Sequence, residues 1–225
     1  MSQKGILMKF IDNHFTKDLL DAYCRRNSHV PGKMNEVTIH PGTMIIEQGK
    51  SPDCVFIILH GSMKIHISTA KGTEYLVAIE GKGELLGEVE GLTGDPATCS
   101  VTALSESLVA KISPDAYKSW LEDDHDFALL VNRILSYRLQ QTTKRAAVHL
   151  TYPLEYSVLK LLKMQAAENS VHITKEEIAN YLGTSIRSVN RILKDLQNKN
   201  VLSPSKEIEI VSMDNLEQAM RNHEE

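Results

Sequence analysis

The residues best suited to chemistry lie in one stretch near the C-terminus, from Thr184 to Lys194. Apolar residues recur there at i, i+3, i+4 and i+7, which predicts a helix with one buried face. Those residues are Val189, Ile192, Leu193 and Leu196. The other faces carry arginine and asparagine, which pair with base edges, and hydroxyl and lysine groups, which suit phosphates. The candidate DNA-contacting residues are Thr184, Ser185, Ile186, Arg187, Ser188, Asn190, Arg191 and Lys194.

A second short helix is predicted immediately before this one, with Gly183 at the turn between them. It carries Ile178, Ala179 and Leu182 as its apolar residues. A helix with an apolar back and a basic front, following a tight turn, fits the major groove of DNA. Residues 171–200 contain five basic and three acidic side chains, and this local excess permits phosphate contact.

The composition of the whole chain excludes a generally basic nucleic-acid binder, because its 225 residues carry a net charge of -4. The three cysteines, Cys24, Cys54 and Cys99, have neither the spacing of zinc ligands nor that of a disulfide framework. No apolar run reaches the length of a membrane span, and the N-terminus lacks the features of a signal peptide. We therefore expect a cytoplasmic protein with reduced cysteines and no membrane partner.

The elements that must position the DNA helix fall into three predicted regions, residues 1–123, 124–150 and 151–225. A helix is expected over about 6–26, and short strands with glycine-rich turns follow over about 30–113. The expected strands are 36–40, 44–46, 55–59, 63–68, 74–79, 99–103 and 108–112. Strands at this spacing predict an α+β chain whose first region is a sandwich or barrel.

The second region is predicted to be one long helix over about 124–149. Its apolar and polar residues follow steps of three and four, a spacing typical of a coiled-coil seam. The seam is formed by Phe127, Leu130, Ile134, Tyr137, Gln141 and Lys144. A dimerisation helix is the favoured interpretation, and a helix packed only on its own barrel is the alternative.

The third region begins after Thr151-Tyr152-Pro153. It is expected to hold an amphipathic helix, the two-helix DNA element, a short β-hairpin over 201–211 and a final helix over 214–221. The hairpin would form the wing of a winged helix-turn-helix.

Two segments resemble the Crp/Fnr (catabolite activator / fumarate-nitrate regulator) family of bacterial transcription factors. The first runs from Ile45 through Gly49 to Gly61 and resembles cyclic-nucleotide-binding barrels, although Pro52 departs from that pattern. The second, from Thr174 to Leu202, is similar to the family's helix-turn-helix. The resemblance covers about residues 30–211. It implies a β-roll (jelly roll) sensor, a dimerisation helix and a winged helix-turn-helix.

The resemblance also implies an effector site. Cyclic-AMP-binding members use a Gly-Glu pair, aligned here with Gly87 and Glu88, followed by an arginine that neutralises the phosphate and a Ser or Thr. In this chain Ala97 takes the arginine position and Thr98 the hydroxyl position. Since a buried phosphate without a cation is costly, we expect an effector other than cyclic AMP, of unknown identity. No cofactor is predicted.

Other readings of the sequence remain open or are disfavoured. An iron–sulfur cluster lacks its cysteines, and haem or thiol chemistry would depend on His40, His60, His66 or the three cysteines. A ligand-independent regulator is the main alternative, and a cyclic-AMP-responsive activator is a weaker one. An enzyme on a cupin-like β-roll would need a His/Glu metal set that is not found, so no enzymatic activity is expected. A nucleotide-binding regulatory subunit would leave the helix-turn-helix unexplained.

The expected partner is double-stranded DNA with an approximately palindromic operator, bound by a homodimer with one recognition helix in each half-site. RNA polymerase is a further candidate partner. Where cyclic-AMP-binding members carry Arg then Glu, this chain has Ile186 then Arg187, so its operator should differ from theirs.

Overall fold

The computed structural model describes residues 34–70, 74–167, 173–205 and 207–224. The helix expected over 6–26, together with Cys24, lies outside these residues. The described chain forms two compact units, one of residues 34–68 and 77–140 and the other of residues 69–76 and 141–224.

Among the residues that the structure describes, eight strands form the β-roll. In chain order they are β1 (Asn35–Ile39), β2 (Met44–Ile46), β3 (Val55–His60), β4 (Ser62–Ser68), β5 (Glu74–Gly81), β6 (Leu85–Leu86), β7 (Ser100–Ala103) and β8 (Ser107–Ile112). They make two four-stranded sheets, β1-β8-β3-β6 and β2-β7-β4-β5. Apolar residues of both sheets, including Phe56, Met63 and Val109, share one buried cluster, as expected when one face of each sheet is apolar. The predicted sandwich is thus confirmed.

Two short elements of the barrel were not predicted. The strand β6 and the helix α1 (Glu88–Thr93) follow each other directly, and Gly87 joins them. Their sequence has no clear period because β6 is only two residues long and α1 only six. The strand expected to begin at Cys99 begins at Ser100 instead.

The helix α2 (Pro114–Asp123) precedes the long helix α3 (His125–Thr151). Four apolar residues in the first turns of α3 are buried, and they join a cluster of β3 and β8 side chains within their own unit. These residues are Phe127, Leu130, Val131 and Ile134. Phe127 also stacks on Trp120, with ring centroids 3.6 Å apart.

This packing corrects the predicted dimer seam. Phe127, Leu130 and Ile134 face the barrel and are not available to a partner, so the alternative of a helix packed on its own barrel holds for the first turns of α3. The prediction failed because the periodicity shows that a face is apolar but not what covers it.

The C-terminal helices are α4 (Leu154–Ala167), α5 (Lys175–Leu182), α6 (Ile186–Asn198) and α7 (Met213–Arg221). They share one apolar cluster that includes Leu159, Ile178, Leu196 and Leu216. The expected wing is reduced to one bridge between Leu202 and Ile210. Two backbone hydrogen bonds flank the bridge, from Ser203 N to Glu209 O and from Val211 N to Val201 O. This segment therefore turns back on itself without forming a regular hairpin.

Candidate nucleic-acid interface and barrel site

The helix-turn-helix is held by local capping. Thr174 and Glu177 form a reciprocal capping box at the start of α5. Gly183 ends α5 with a φ of 61°, a left-handed conformation that costs glycine little. The Ser185 hydroxyl caps α6 by accepting a hydrogen bond from the backbone N of Ser188 at 3.1 Å. These caps fix where α6 begins and therefore which of its residues face outward.

The structure brings the predicted DNA-contacting residues together on the outer side of α6 and its first turn. Most of them are exposed: Ser185, Ile186, Arg187, Asn190, Arg191 and Lys194. Thr184 and Ser188 are half-buried. The opposite face is buried as predicted, with Val189, Ile192, Leu193 and Leu196 in the core. Arginine, asparagine and lysine side chains are therefore free of the core and reach solvent on one helix face.

The two serines at the start of α6 also bind each other, because the Ser185 and Ser188 hydroxyls lie 2.9 Å apart. The backbone N–H groups at the first turn of a helix carry partial positive charge. The start of α6 can therefore approach a DNA phosphate through its amides as well as through hydroxyls.

In the barrel, Gly87 and Glu88 occupy the start of α1. Gly87 has a φ of 75°, and a Cβ there would lie 3.2 Å from the carbonyl oxygen of Cys54. This glycine is required by backbone packing. Glu88 is only 5% exposed, so its carboxylate must be paired.

The partner of Glu88 is Arg138, which reaches the carboxylate from α3. Arg138 Nη2 also donates to Glu84 Oε2 at 2.8 Å and to the carbonyl oxygen of Leu85 at 3.1 Å. The same nitrogen lies 3.7 Å from Glu80 Oε1. One guanidinium thus holds three buried carboxyl groups. We call these four residues the Arg138 cluster (Glu80, Glu84, Glu88 and Arg138).

Three carboxyl groups share one cation in the Arg138 cluster, and this imbalance affects their pKa values. Burial, together with the charge of Glu80, raises the pKa of Glu84 to about 8, although Arg138 opposes the shift. Burial alone would lower the pKa of Arg138, but the three carboxylates raise it above its ordinary value. At neutral pH Glu84 is therefore largely protonated and Arg138 is charged.

The cluster retains polar atoms without a partner among the described residues. Glu84 Oε1, Arg138 Nε and the hydroxyl of nearby Tyr117 are buried and make no hydrogen bond there. Burial and the charge of Glu88 raise the pKa of Tyr117, so its hydroxyl keeps its proton and can donate. A small polar molecule could bond to these atoms.

The position aligned with the phosphate-binding arginine lies in the core. Ala97 is 3% exposed and belongs to the apolar cluster of the barrel. Thr98 is exposed, and its backbone N donates to Glu90 Oε1 at 3.4 Å. The structure therefore brings Gly87 and Glu88 together but leaves Thr98 on the surface.

The groups considered for other sensing chemistries are dispersed. His40 and His60 are exposed, whereas His66 is buried with its Nε2 3.1 Å from the Thr102 hydroxyl. Burial raises the pKa of Cys99 to about 11, and burial also raises that of Cys54, so both remain thiols. In the part of the chain that the structure describes, no three His, Cys, Asp or Glu side chains are grouped to hold a metal ion. None of the described helices is both long and apolar enough to span a membrane.

Comparison with known proteins decides the family. Residues 36–124 match the family model for the cyclic nucleotide-binding domain. Residues 158–219 match that for the Crp-like helix-turn-helix domain. The chain belongs to the Crp/Fnr family of transcriptional regulators.

Relatives of known function and structure agree with this assignment. The chain is 28% identical over 177 residues to the CRP-like cAMP-activated global transcriptional regulator of Mycobacterium tuberculosis, covering 74% of this chain and 79% of that one. Its fold is similar to the c-di-GMP responsive global regulator CLP of Xanthomonas campestris, with a TM-score of 0.68, 18% identity and coverage of 80% and 95%. It is also similar to OCPA-complexed CprK, with a TM-score of 0.62, 18% identity and coverage of 82% and 89%.

Arg138, Glu80 and Glu84 were not predicted as members of the barrel site of this Crp/Fnr protein. A signal for Arg138 was present, because it lies four residues after Ile134 and seven after Val131, on the buried face of α3. A largely buried arginine needs carboxylate partners, and Glu84 and Glu88 lie four positions apart in the sequence. The sequence did not reveal that these two regions meet.

Proposed function

We propose that this Crp/Fnr regulator is a homodimer that binds an approximately palindromic DNA site and responds to an effector other than cyclic AMP. The Arg138 cluster is the observation that carries the effector part of this proposal. Glu88, which in cyclic-AMP-binding members accepts from a ribose hydroxyl, is here bound by the protein's own arginine. The protein acts in the cytoplasm, with RNA polymerase as a candidate partner.

The electrostatics of the Arg138 cluster argue against a cyclic phosphate. Ala97 supplies no charge, and Arg138 is already held by Glu84 and Glu88. Bringing a further anion next to three carboxyl groups would leave it without a dedicated cation. A small neutral or cationic molecule that bonds to Glu84 Oε1 and Tyr117 fits the unpartnered atoms better.

The fold itself permits such a difference in ligand. Among proteins with this architecture, CLP is described as c-di-GMP responsive and CprK as complexed with OCPA. A shared fold therefore does not fix the ligand, which is set by the side chains of the site.

The dimer would form through a different face of α3 from the one predicted. Its exposed residues follow steps of three and four over the full length of the helix. They are Leu129, Asn132, Ser136, Leu139, Thr143, Ala146 and Leu150. Leu139 and Leu150 are 69% and 87% exposed, which is unusual for leucine on a long helix without a partner. In a dimer, two α6 helices would lie about one turn of DNA apart.

Calorimetry on the purified protein tests the effector proposal directly. We expect no saturable binding of cyclic AMP, and no change in affinity for a DNA site selected from random sequence when cyclic AMP is added. Saturable cyclic AMP binding that Glu88→Gln removes would overturn the proposal, since it would show that Glu88 serves the nucleotide.

A second candidate is a regulator that needs no ligand, and the same cluster favours it, because Arg138 already makes the contacts that a ligand would make. Two measurements distinguish the candidates, one on the Arg138→Gln variant and one on the unaltered protein. If the cluster alone holds the DNA-binding state, the variant loses DNA affinity and no small molecule restores it. If an effector acts there, a screen of small polar molecules should contain one that changes the DNA affinity of the unaltered protein.

A further inference from the structure

A cavity of about 260 Å³ lies inside the C-terminal unit. It is bounded by the last turns of α3, by α4 and by the end of α5, and all its lining residues belong to residues 141–182 of that unit. It contains no residue of the Arg138 cluster and none of the exposed face of α6. Its volume is just below the range usual for drug-sized ligands, so it suits a smaller molecule.

The charge of this cavity has one sign. Lys144, Arg145 and Lys160 line it, and none of the described residues that line it is Asp or Glu. Three cations around one concave space attract an anion and raise its local concentration. The chain as a whole is acidic, with a net charge of -4, so this concentration of positive charge is local.

Arg145 is held in position on the cavity wall. Its guanidinium carbon lies 5.5 Å from the centroid of the Tyr181 ring, and Nη1 donates to the Tyr75 hydroxyl at 3.4 Å. A guanidinium stacked on a ring keeps its remaining N–H groups directed in one plane. Burial and the charge of Arg145 lower the pKa of His149, so the imidazole beside it is neutral at neutral pH and can donate one N–H.

Ser157 gives the second, independent sign of a ligand. The residue is 5% exposed, and its hydroxyl is buried with no hydrogen-bond partner among the described residues. A buried hydroxyl without a hydrogen-bond partner is destabilising, so native proteins seldom contain one. Ser157 lines the same cavity as the three cations, and its hydroxyl can donate a hydrogen bond to an anion there.

Part of the cavity wall is apolar, although Gln141 also lines it. Val148, Leu161 and Leu182 line the cavity together with the ring of Tyr181. A bare inorganic ion would leave this surface uncovered, whereas an organic body would bury it. The cavity thus combines an anion-binding side with an apolar side.

We propose that this cavity binds a small organic phosphate. The phosphate group lies among Lys144, Arg145 and Lys160 and accepts a hydrogen bond from the Ser157 hydroxyl, and the carbon body packs against Leu161. Phosphate suits this set better than carboxylate because its two charges and three terminal oxygens match several cations. The ligand would touch the end of α5, directly before the turn that leads to α6. This site is separate from the barrel site of the proposed function, and its occupancy requires neither DNA nor a barrel effector.

Calorimetry on the full chain without DNA tests this inference, with phenyl phosphate as the probe. We expect saturable binding with a Kd of about 1 mM or tighter. Inorganic phosphate should bind more weakly because it lacks the apolar body, and benzoate should bind more weakly because it carries one charge. Equal or tighter binding of either one would overturn the assignment of an organic phosphate.

Two variants locate the binding. Lys160→Met should weaken phenyl phosphate about tenfold, whereas Lys118→Met, an equal charge change at an exposed position of α2, should leave the affinity unchanged. Ser157→Ala should also weaken binding while leaving the ligand-free stability unchanged or higher, because it removes an unpaired hydroxyl.

The inference fails if no saturable heat is seen, or if Lys160→Met binds phenyl phosphate as tightly as Lys118→Met. It also fails if Ser157→Ala lowers the ligand-free unfolding temperature and leaves the affinity intact, since the hydroxyl would then serve the fold alone. None of these outcomes depends on whether the protein binds DNA or a barrel effector.

Discussion

At the scale of single residues, Arg138 has the largest influence on the barrel site. Its side chain is about a fifth exposed, and its guanidinium contacts carboxyl groups from β5, from the turn before β6 and from α1. Because Arg138 comes from α3, these contacts connect the barrel to the long helix. A buried charge cluster of this kind is costly to assemble and more costly to break.

The raised pKa of Glu84 predicts a pH dependence of stability. Its folded pKa of about 8 exceeds the ordinary value of 4.5, so in the window between these two pH values the folded state holds a proton that the unfolded state has released. The free energy of unfolding should therefore fall as pH rises through the window, and thermal melts should show a lower Tm at about pH 8 than at about pH 6. Glu84→Gln should remove most of that difference. A wild-type Tm that rises with pH, or a slope unchanged in Glu84→Gln, would contradict this account.

The residues on α6 predict separable effects on DNA binding. Arg191→Ala should lose about 1–3 kcal/mol of discrimination between bases, because arginine pairs with the guanine edge. Lys194→Ala should weaken binding to all sequences alike and reduce the salt slope by about one, because lysine contacts phosphate. Fluorescence anisotropy on a selected site and on scrambled DNA at several salt concentrations measures both. If Arg191→Ala left sequence preference unchanged, the assignment of Arg191 as a base contact would be wrong.

At the scale of elements, helices whose capping residues can be recognised in the sequence were predicted well. Short elements that depend on long-range packing were not predicted. The start of α6 follows from Ser185 and the end of α5 from Gly183, both readable in sequence. The short β6 and α1 exist because they pack into the barrel, and their own residues carry no period that shows it. The wing is shorter than predicted for a related reason, since β propensity in 207–211 does not ensure a long paired ladder.

The long helix α3 shows most clearly that tertiary packing limits what the sequence pattern predicts. Its apolar period was real, but the face that the period marks is covered by β3 and β8 of the same unit. The exposed stripe through Leu129 and Leu139 is less apolar and was not recognised. A sequence pattern identifies a face that must be buried, whereas the partner that buries it depends on the tertiary fold.

The exposed stripe predicts an effect on assembly. Leu139→Glu should place a charge in the proposed interface between two α3 helices and shift the protein from dimer to monomer in analytical ultracentrifugation. Val211→Glu is the matched control, because Val211 is also exposed, at 60%, but lies outside α3. A dimer that survives Leu139→Glu at low protein concentration would show that this stripe is not the interface.

At the scale of the whole molecule, the sequence alone predicted the class of protein but did not identify its effector. The order of a β-roll, a long helix and a helix-turn-helix was predicted and is confirmed by the family matches at residues 36–124 and 158–219. The absence of a phosphate-binding arginine at Ala97 was visible in the sequence. The Arg138 cluster was not visible in the sequence, because its four residues are up to 58 positions apart in the chain.

The central claim is that this regulator reads DNA without cyclic AMP. The most direct test is to select its preferred site from random DNA in the absence of nucleotide and to measure the affinity by anisotropy while cyclic AMP is added. We expect a two-fold symmetric site that the protein binds with the same affinity at every cyclic AMP concentration. A site that is recovered or bound tightly only when cyclic AMP is present would contradict it.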